Sequence, residues 1–239
     1  MRRSAFLGLL AVAGCAHRRA AIEPFRTALP GVRIVALGDS LAFGTGASSP
    51  EHAFIFRAYE RVRDRRPASE IANFAMGGST ARDVLRLQVP RLAGTRFDIV
   101  VICVGGNDVV HRVDPATFAQ TYTRLLAAVH RAQPAARIVC CGVPNVGISP
   151  LFAGRDHAAV THLARADDDA VRAAARARAD GFVDLFAVTN AARGDAARFL
   201  SDDRFHPGDA GYAQMADALA PALVRAANAQ SAPVPQPPS

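Results

Sequence analysis

The repeated alternation of short apolar runs with longer amphipathic stretches is the feature that most limits the fold of this chain. Apolar runs rich in β-branched residues predict strands at residues 32–37, 70–74, 98–104, 137–142 and 182–185. Apolar residues at helical spacing predict helices at 52–65, 80–92, 115–132, 157–178 and 210–227. Strands that alternate with helices form a parallel sheet covered on both faces. The sequence therefore predicts an α/β fold, a doubly wound three-layer α/β/α sandwich with a central five-stranded parallel sheet.

The two ends of the chain differ in composition from the segment between them. Arg2 and Arg3 precede an apolar run that is shorter than the roughly 20 residues needed to span a bilayer. This pattern is typical of an export signal, predicted at residues 1–14 and followed by a tether at 15–30. Half of the 239 residues are hydrophobic, which is enough for one domain, predicted at 31–228. The Pro-rich end, residues 229–239, is predicted to be a disordered tail.

The end of the predicted signal, Val12-Ala13-Gly14-Cys15, resembles the lipobox of bacterial lipoproteins. The resemblance implies that the leader is cut off and that Cys15 becomes a lipidated N-terminus. The protein would then be anchored to a membrane in the cell envelope, on its periplasmic or extracellular side. A plain secretory leader with an incidental cysteine is the alternative.

The basic charge of the chain does not predict a nucleic-acid partner. The formal net charge is +7, but all 28 basic residues are arginine and they are spread along an alanine-rich chain. This pattern is typical of genomic base composition rather than of a phosphate-binding surface.

Three cysteines lie in the predicted strands, so at least one of them is unpaired. The others could be inert core thiols, or Cys103 and Cys140 could form a bridge.

No cofactor or metal is predicted. The sequence contains no P-loop, and Gly44-Thr45-Gly46 lacks the third glycine of a dinucleotide-binding motif. A metallophosphoesterase site would need several histidines close together, whereas only His206 is placed to contribute to one.

Ser40 and His206 are the candidate nucleophile and base. Ser40 lies in Gly38-Asp39-Ser40-Leu41, directly after the first predicted strand, at the sheet edge where catalytic groups of such folds collect. Serine in such a turn often only caps a helix, so it needs a base to be reactive. His206 follows Asp203 by three residues and precedes Pro207, which we expect at the first position of a helix. Asp203 could then accept the Nδ1 proton of His206 while Nε2 faces the serine.

Two further strand ends offer donors for the oxyanion of a tetrahedral intermediate. Asn107 lies in Gly105-Gly106-Asn107-Asp108, and Gly78 lies in Met76-Gly77-Gly78-Ser79. The asparagine amide and a glycine N–H without a neighbouring Cβ are both suited to this task. Each segment is equally explained as turn chemistry alone.

These residues resemble the four sequence blocks of the SGNH hydrolases, also called GDSL esterases and lipases, over residues 32–227. The resemblance implies a flavodoxin-like fold in which Ser40 is the nucleophile, Gly78 and Asn107 are oxyanion donors, and Asp203 and His206 complete the triad. Two positions depart from the family pattern. Arg204 stands where glycine is common, and Ser79 stands where the thioesterase-like branch often has an acid.

The resemblance implies an esterase, lipase or thioesterase-like hydrolase that cleaves acyl or aryl esters of small molecules or lipids through an acyl-enzyme. We expect the protein to be a monomer. One alternative is a deacetylase of O-acetylated cell-envelope carbohydrate. Another is a non-catalytic envelope binding module that retains this fold. Lost triad residues would favour the binding module, and none is lost.

Overall fold

Five parallel strands form the centre of the structure. The computed structural model describes residues 28–152 and 154–230, so the predictions about the leader, Cys15 and most of the tail lie outside the described residues. The strands are β1 (Arg33–Gly38), β2 (Glu70–Asn73), β3 (Ile99–Cys103), β4 (Arg137–Cys141) and β5 (Gly181–Val183). They pair in the order β2-β1-β3-β4-β5. This sheet, with helices packed around it, confirms the predicted α/β fold class.

Helices follow the strands and cover the sheet. They are α1 (Ser40–Phe43), α2 (Phe54–Arg63), α3 (Ala81–Asp83), α4 (Gly106–Val110), α5 (Pro115–Ala132), α6 (Arg155–Arg178), α7 (Leu185–Ala191), α8 (Ala196–Phe199) and α9 (Asp209–Gln230). The long helices α5, α6 and α9 lie where the periodicity predicts them. The short helices α1, α4, α7 and α8 were not predicted. No helix in the described part of the chain is both long and apolar enough to cross a bilayer.

The strands are apolar on both faces because helices pack on both sides of the sheet. In β1, Ile34 and Ala36 belong to one buried cluster, whereas Val35 and Leu37 belong to the other. Such continuous apolar strands are typical of parallel sheets. The register places Gly38, the last residue of β1, opposite Cys103, the last residue of β3. The loops that follow the strands therefore start from a shared edge.

The predicted helix at 80–92 is divided into three short segments. One α-helical turn in α3 is followed by a π-helical segment, Val84–Gln88, and a 3₁₀ segment, Val89–Leu92. Pro90 cannot donate a hydrogen bond to an earlier carbonyl, so a regular helix cannot continue through it. The prediction of one continuous helix was wrong for this reason.

The predicted strand at 182–185 also ends early. The side chain of Asp184 accepts a hydrogen bond of 2.8 Å from the Ala187 N–H and so caps α7. Leu185 is therefore the first residue of a helix and not the last of a strand.

Cys103, Cys140 and Cys141 are free and buried. Cys103 and Cys141 face one core cluster, and Cys140 faces the other. Because successive residues of a strand point to opposite faces, Cys140 is not directed at Cys103. The possible Cys103–Cys140 bridge is therefore not formed.

Candidate active site

The turn after β1 exposes Ser40 at the carboxyl edge of the sheet. Gly38 adopts a φ of 154°, and a Cβ at this position would lie 1.9 Å from the carbonyl oxygen of Cys103. Only glycine fits so close to β3. Asp39 then caps α1, because its Oδ1 accepts a hydrogen bond of 2.9 Å from the Leu41 N–H. Ser40 is thereby fixed as the first residue of α1.

A tight loop between α8 and α9 carries His206. Oδ1 of Asp203 accepts hydrogen bonds from the backbone N–H groups of Phe205, at 2.8 Å, and His206, at 2.9 Å. Arg204 adopts a φ of 60°, a left-handed conformation that favours glycine. Pro207 was predicted to start the helix, but it forms an isolated bridge with Leu200. Helix α9 begins two residues later, at Asp209, because the chain first pairs back on itself.

Ser40, His206 and Asp203 are hydrogen-bonded in series. Oγ of Ser40 lies 2.9 Å from Nε2 of His206, and Nδ1 of His206 lies 2.6 Å from Oδ2 of Asp203. Burial raises the pKa of Asp203, but hydrogen bonds from His206, Phe205 and Ser201 outweigh it and hold this pKa well below its usual value. Asp203 therefore remains an acceptor at neutral pH and favours a proton on Nδ1. Nε2 is left to accept the serine proton.

Three contacts hold the segment after α1 against the histidine loop and α9. At Gly46 a Cβ would lie 2.6 Å from the Pro207 carbonyl oxygen, so the two loops touch there. The Tyr212 hydroxyl donates a hydrogen bond of 2.6 Å to the carbonyl oxygen of Thr45. The Ser48 N–H donates to Oδ1 of Asp209 at 2.9 Å. These contacts explain how Ser40 and His206, which are 166 positions apart in sequence, come within hydrogen-bond distance.

Asn107 and Gly78 occupy the next two strand ends. Asn107 lies in the first turn of α4, and its Nδ2 donates a hydrogen bond of 3.0 Å to the carbonyl oxygen of Ser79. An amide nitrogen has two hydrogens, so one remains for a substrate oxygen. Gly78 is exposed with a φ of 79°. The neighbouring Gly77 is close to Ser40, because a Cβ built on it would lie 4.0 Å from the Cβ of Ser40.

Two buried carboxyl groups behind these loops were not predicted as residues of the esterase site. Asp39 is 3% exposed, and burial raises its pKa to about 7. Asp108 is equally buried, and burial raises its pKa to about 6. Oδ2 of Asp108 accepts a hydrogen bond of 2.9 Å from the Ala81 N–H, which ties the Asn107 loop to the start of α3. The sequence could have indicated them by their positions, because each is an aspartate directly next to a predicted catalytic residue.

An apolar cavity adjoins Ser40, Asn107 and His206. Its walls include Pro144, Val146, Ile148, Phe199 and Leu200. These side chains come from the loop after β4 and from the end of α8. The cavity can therefore receive an apolar group of a bound molecule beside the serine hydroxyl.

Ser48, His52 and Asp209 form a second cluster of the same three residue types. Oγ of Ser48 lies 2.7 Å from Nδ1 of His52 and 2.6 Å from Oδ2 of Asp209. Oδ2 of Asp209 also lies 2.9 Å from Nδ1 of His52, so the serine oxygen and the carboxylate oxygen share one ring nitrogen. A triad needs the acid on one nitrogen and the serine on the other. This cluster therefore ties a loop to the start of α9 and lacks the geometry of a proton relay.

Within the described ranges, no group of three or more His, Cys, Asp or Glu side chains is arranged to hold a metal ion.

Solved structures with this fold include several ester hydrolases. TesA has a TM-score of 0.61 and 19% identity, and the match covers 81% of this chain and 99% of TesA. The esterase EstA from Pseudoalteromonas sp., inhibited by monoethylphosphonate, has a TM-score of 0.64 and 16% identity, and the match covers 82% of this chain and 99% of EstA. A variant of the acetyl xylan esterase Axe2 from Geobacillus stearothermophilus has a TM-score of 0.61 and 19% identity, covering 82% and 96%. At these identities the likeness establishes the fold. Comparison with curated proteins gives no significant match.

The family is established by a match to sequence. The model of the GDSL-like Lipase/Acylhydrolase family matches residues 36–214, from within β1 to within α9. The matched segment contains Ser40, Asn107 and His206, and it confirms the resemblance drawn from the motifs. The chain therefore belongs to the GDSL-like lipase/acylhydrolase family, and it is a carboxylic ester hydrolase.

Proposed function

We propose that the protein hydrolyses acyl or aryl esters through an acyl-enzyme on Ser40. The observation that carries this proposal is the series of hydrogen bonds from Ser40 through His206 to Asp203 beside an apolar cavity. A serine hydroxyl is a weak nucleophile unless a neighbouring base removes its proton. His206 is the one base within hydrogen-bond distance of the Ser40 hydroxyl among the described residues.

The reaction proceeds in two steps that use the same groups. Ser40 Oγ attacks the ester carbonyl carbon while its proton moves to Nε2 of His206, and the carbonyl oxygen becomes an oxyanion. The C–O bond to the leaving group breaks, and the departing oxygen takes the proton from Nε2. Water then attacks the acyl-enzyme with His206 as base, and the acid and free Ser40 are released.

The oxyanion needs N–H donors on the loops that surround Ser40. We assign the backbone amides of Ser40 and Gly78 and the side-chain amide of Asn107. The Ser40 N–H is the first of α1 and has no partner within the helix. Fixed donors of this kind act on the charge that develops in the transition state.

The apolar walls of the cavity favour a lipid or aryl ester over an ester of a carbohydrate. Exposed apolar side chains lie close to the site residues in sequence, namely Phe43 after Ser40, Met76 before Gly78 and Val110 after Asn107. The deacetylase alternative retains support from the fold shared with an acetyl xylan esterase. Rates on p-nitrophenyl esters of increasing chain length, compared with acetate release from acetylated polysaccharide, separate the two substrate classes.

Lipidation of Cys15 is proposed to hold the enzyme at the cell envelope. We expect wild-type protein in the membrane fraction and in the detergent phase on partitioning. Cys15→Ala should shift it to the aqueous phase, because one residue carries the anchor. Identical processing and partitioning of the two proteins would contradict the anchor and leave a plain secretory leader.

Ser40→Ala should abolish labelling by a fluorophosphonate and all esterase activity. Ser48→Ala is the matched control. Ser48 also contacts a histidine and an aspartate, but it meets the histidine ring at Nδ1, the nitrogen that the aspartate also contacts. This variant should keep labelling and kcat within about twofold of wild type. Labelling that persists in Ser40→Ala would contradict the mechanism, and a wild-type protein that neither labels nor turns over esters would favour the binding module.

Asn107→Ala should lower kcat on the order of 100-fold with little change in KM, since it removes one oxyanion donor. Steady-state kinetics on p-nitrophenyl acetate measures both constants. An increase in KM at constant kcat would instead assign Asn107 to binding of the ground state.

Asp203→Asn should reduce kcat/KM by about 10² to 10⁴-fold, because an amide favours the wrong imidazole tautomer and does not stabilise imidazolium. The adjacent Asp202→Asn makes the same change in charge and should have little effect, since the carboxylate that meets Nδ1 of His206 is that of Asp203. Profiles of kcat/KM against pH for both variants test this. If Asp202→Asn is the more damaging, His206 relies on another acid.

A further inference from the structure

Gln88 is a fully buried polar side chain in the segment that follows α3. It ends the π-helical segment Val84–Gln88 and is 0% exposed. It lies between Val84 and Leu92 on the face of this segment that packs into the apolar core. A buried amide is retained only where its hydrogen bonds are satisfied.

The amide of Gln88 pairs with both backbone groups of Gly38. Oε1 accepts a hydrogen bond of 2.8 Å from the Gly38 N–H, and Nε2 donates one of 2.7 Å to the Gly38 carbonyl oxygen. This exchange of two bonds resembles the hydrogen-bonded residue pair of an antiparallel ladder. The orientation of the amide is fixed, because a reversed amide would set two donors and two acceptors against each other.

The second hydrogen of Nε2 reaches the other side of the site. It is donated to Oγ of Ser79 at 3.3 Å. The carbonyl oxygen of Ser79 in turn accepts the hydrogen bond from Asn107. A connected series of hydrogen bonds therefore runs from Gly38, two residues before Ser40, through Ser79, the neighbour of Gly78, to Asn107.

We propose that Gln88 is a positioning residue that sets the distance between the Ser40 turn and the oxyanion donors at Gly78 and Asn107. It does not touch the substrate, so it acts only through the groups that it holds. This inference rests on the proposed function, since it assumes that Ser40 is attacked by way of these donors. Small displacements of reacting groups are costly, since a misplacement of about 1 Å can reduce a rate by 10²-fold.

Gln133 provides a matched control at the opposite edge of the sheet. It is 6% exposed, and its Oε1 accepts a hydrogen bond of 3.0 Å from the Phe97 N–H. Its Nε2 donates to the carbonyl oxygens of Leu92 and Thr95. The side chains of Gln133 and Gln88 therefore each make three hydrogen bonds. Those of Gln133 lie near the amino ends of the strands, away from Ser40.

The test compares Gln88→Met with Gln133→Met in kcat and KM on p-nitrophenyl acetate, in the rate of inactivation by a fluorophosphonate, and in the urea midpoint of unfolding. Both variants should lower the midpoint. Only Gln88→Met should reduce kcat and the inactivation rate, by about 10- to 100-fold, with KM within about twofold of wild type.

A kcat for Gln88→Met within twofold of wild type, or an equal loss in Gln133→Met, would overturn the proposal. If Gln88→Met does not fold, Ser79→Ala decides, because it removes only the link to Nε2. It should lower kcat at least threefold at constant KM, and an unchanged kcat would overturn the proposal. Ser40→Ala, measured alongside, separates the outcomes, since activity in that variant would refute the proposed function itself.

Discussion

The approach of Gly38 to the carbonyl oxygen of Cys103 is the constraint on which the site depends. A Cβ on Gly38 would lie 1.9 Å from that oxygen, so only glycine allows the turn to pass so close to the end of β3. The next N–H, of Asp39, donates to the same carbonyl at 3.2 Å. The turn that carries Ser40 therefore lies against the end of the strand whose following loop carries Asn107. A larger residue at Gly38 would clash with this carbonyl and displace the turn that carries Ser40 relative to the loop that carries Asn107.

Three aspartates near the site differ in charge because their surroundings differ. Asp203 receives several N–H and O–H bonds, which keep its pKa low and its carboxylate ionised. Asp39 and Asp108 are more deeply buried, and burial raises their pKa to about 7 and about 6. A full negative charge on Asp39 or Asp108 would oppose the oxyanion of the proposed mechanism. Raised pKa values reduce that charge near neutral pH, whereas the low pKa of Asp203 preserves the charge that orients His206.

The sequence predicts the strands and the reactive side chains better than it predicts their supports. Ser40, Asn107 and Gly78 directly follow apolar strand runs, and a parallel sheet brings such positions to one edge. Gln88 gave no comparable signal, because its partner Gly38 lies 50 residues away and no local pattern encodes that pairing. The helix start predicted at Pro207 was wrong for a different reason, since a bridge to Leu200 overrides the local preference of proline for the first helical position.

The two clusters of serine, histidine and aspartate show which property makes such residues reactive. In both, a serine oxygen lies within 2.9 Å of a ring nitrogen, and a carboxylate lies within 2.9 Å of the ring. Only at Ser40 do the two oxygens meet different nitrogens. Proton transfer from serine requires one nitrogen to accept while the other is held protonated. At Ser48 the carboxylate of Asp209 accepts the hydrogen bond of the serine hydroxyl directly. The same three residue types therefore stabilise a loop there and do not form a proton relay.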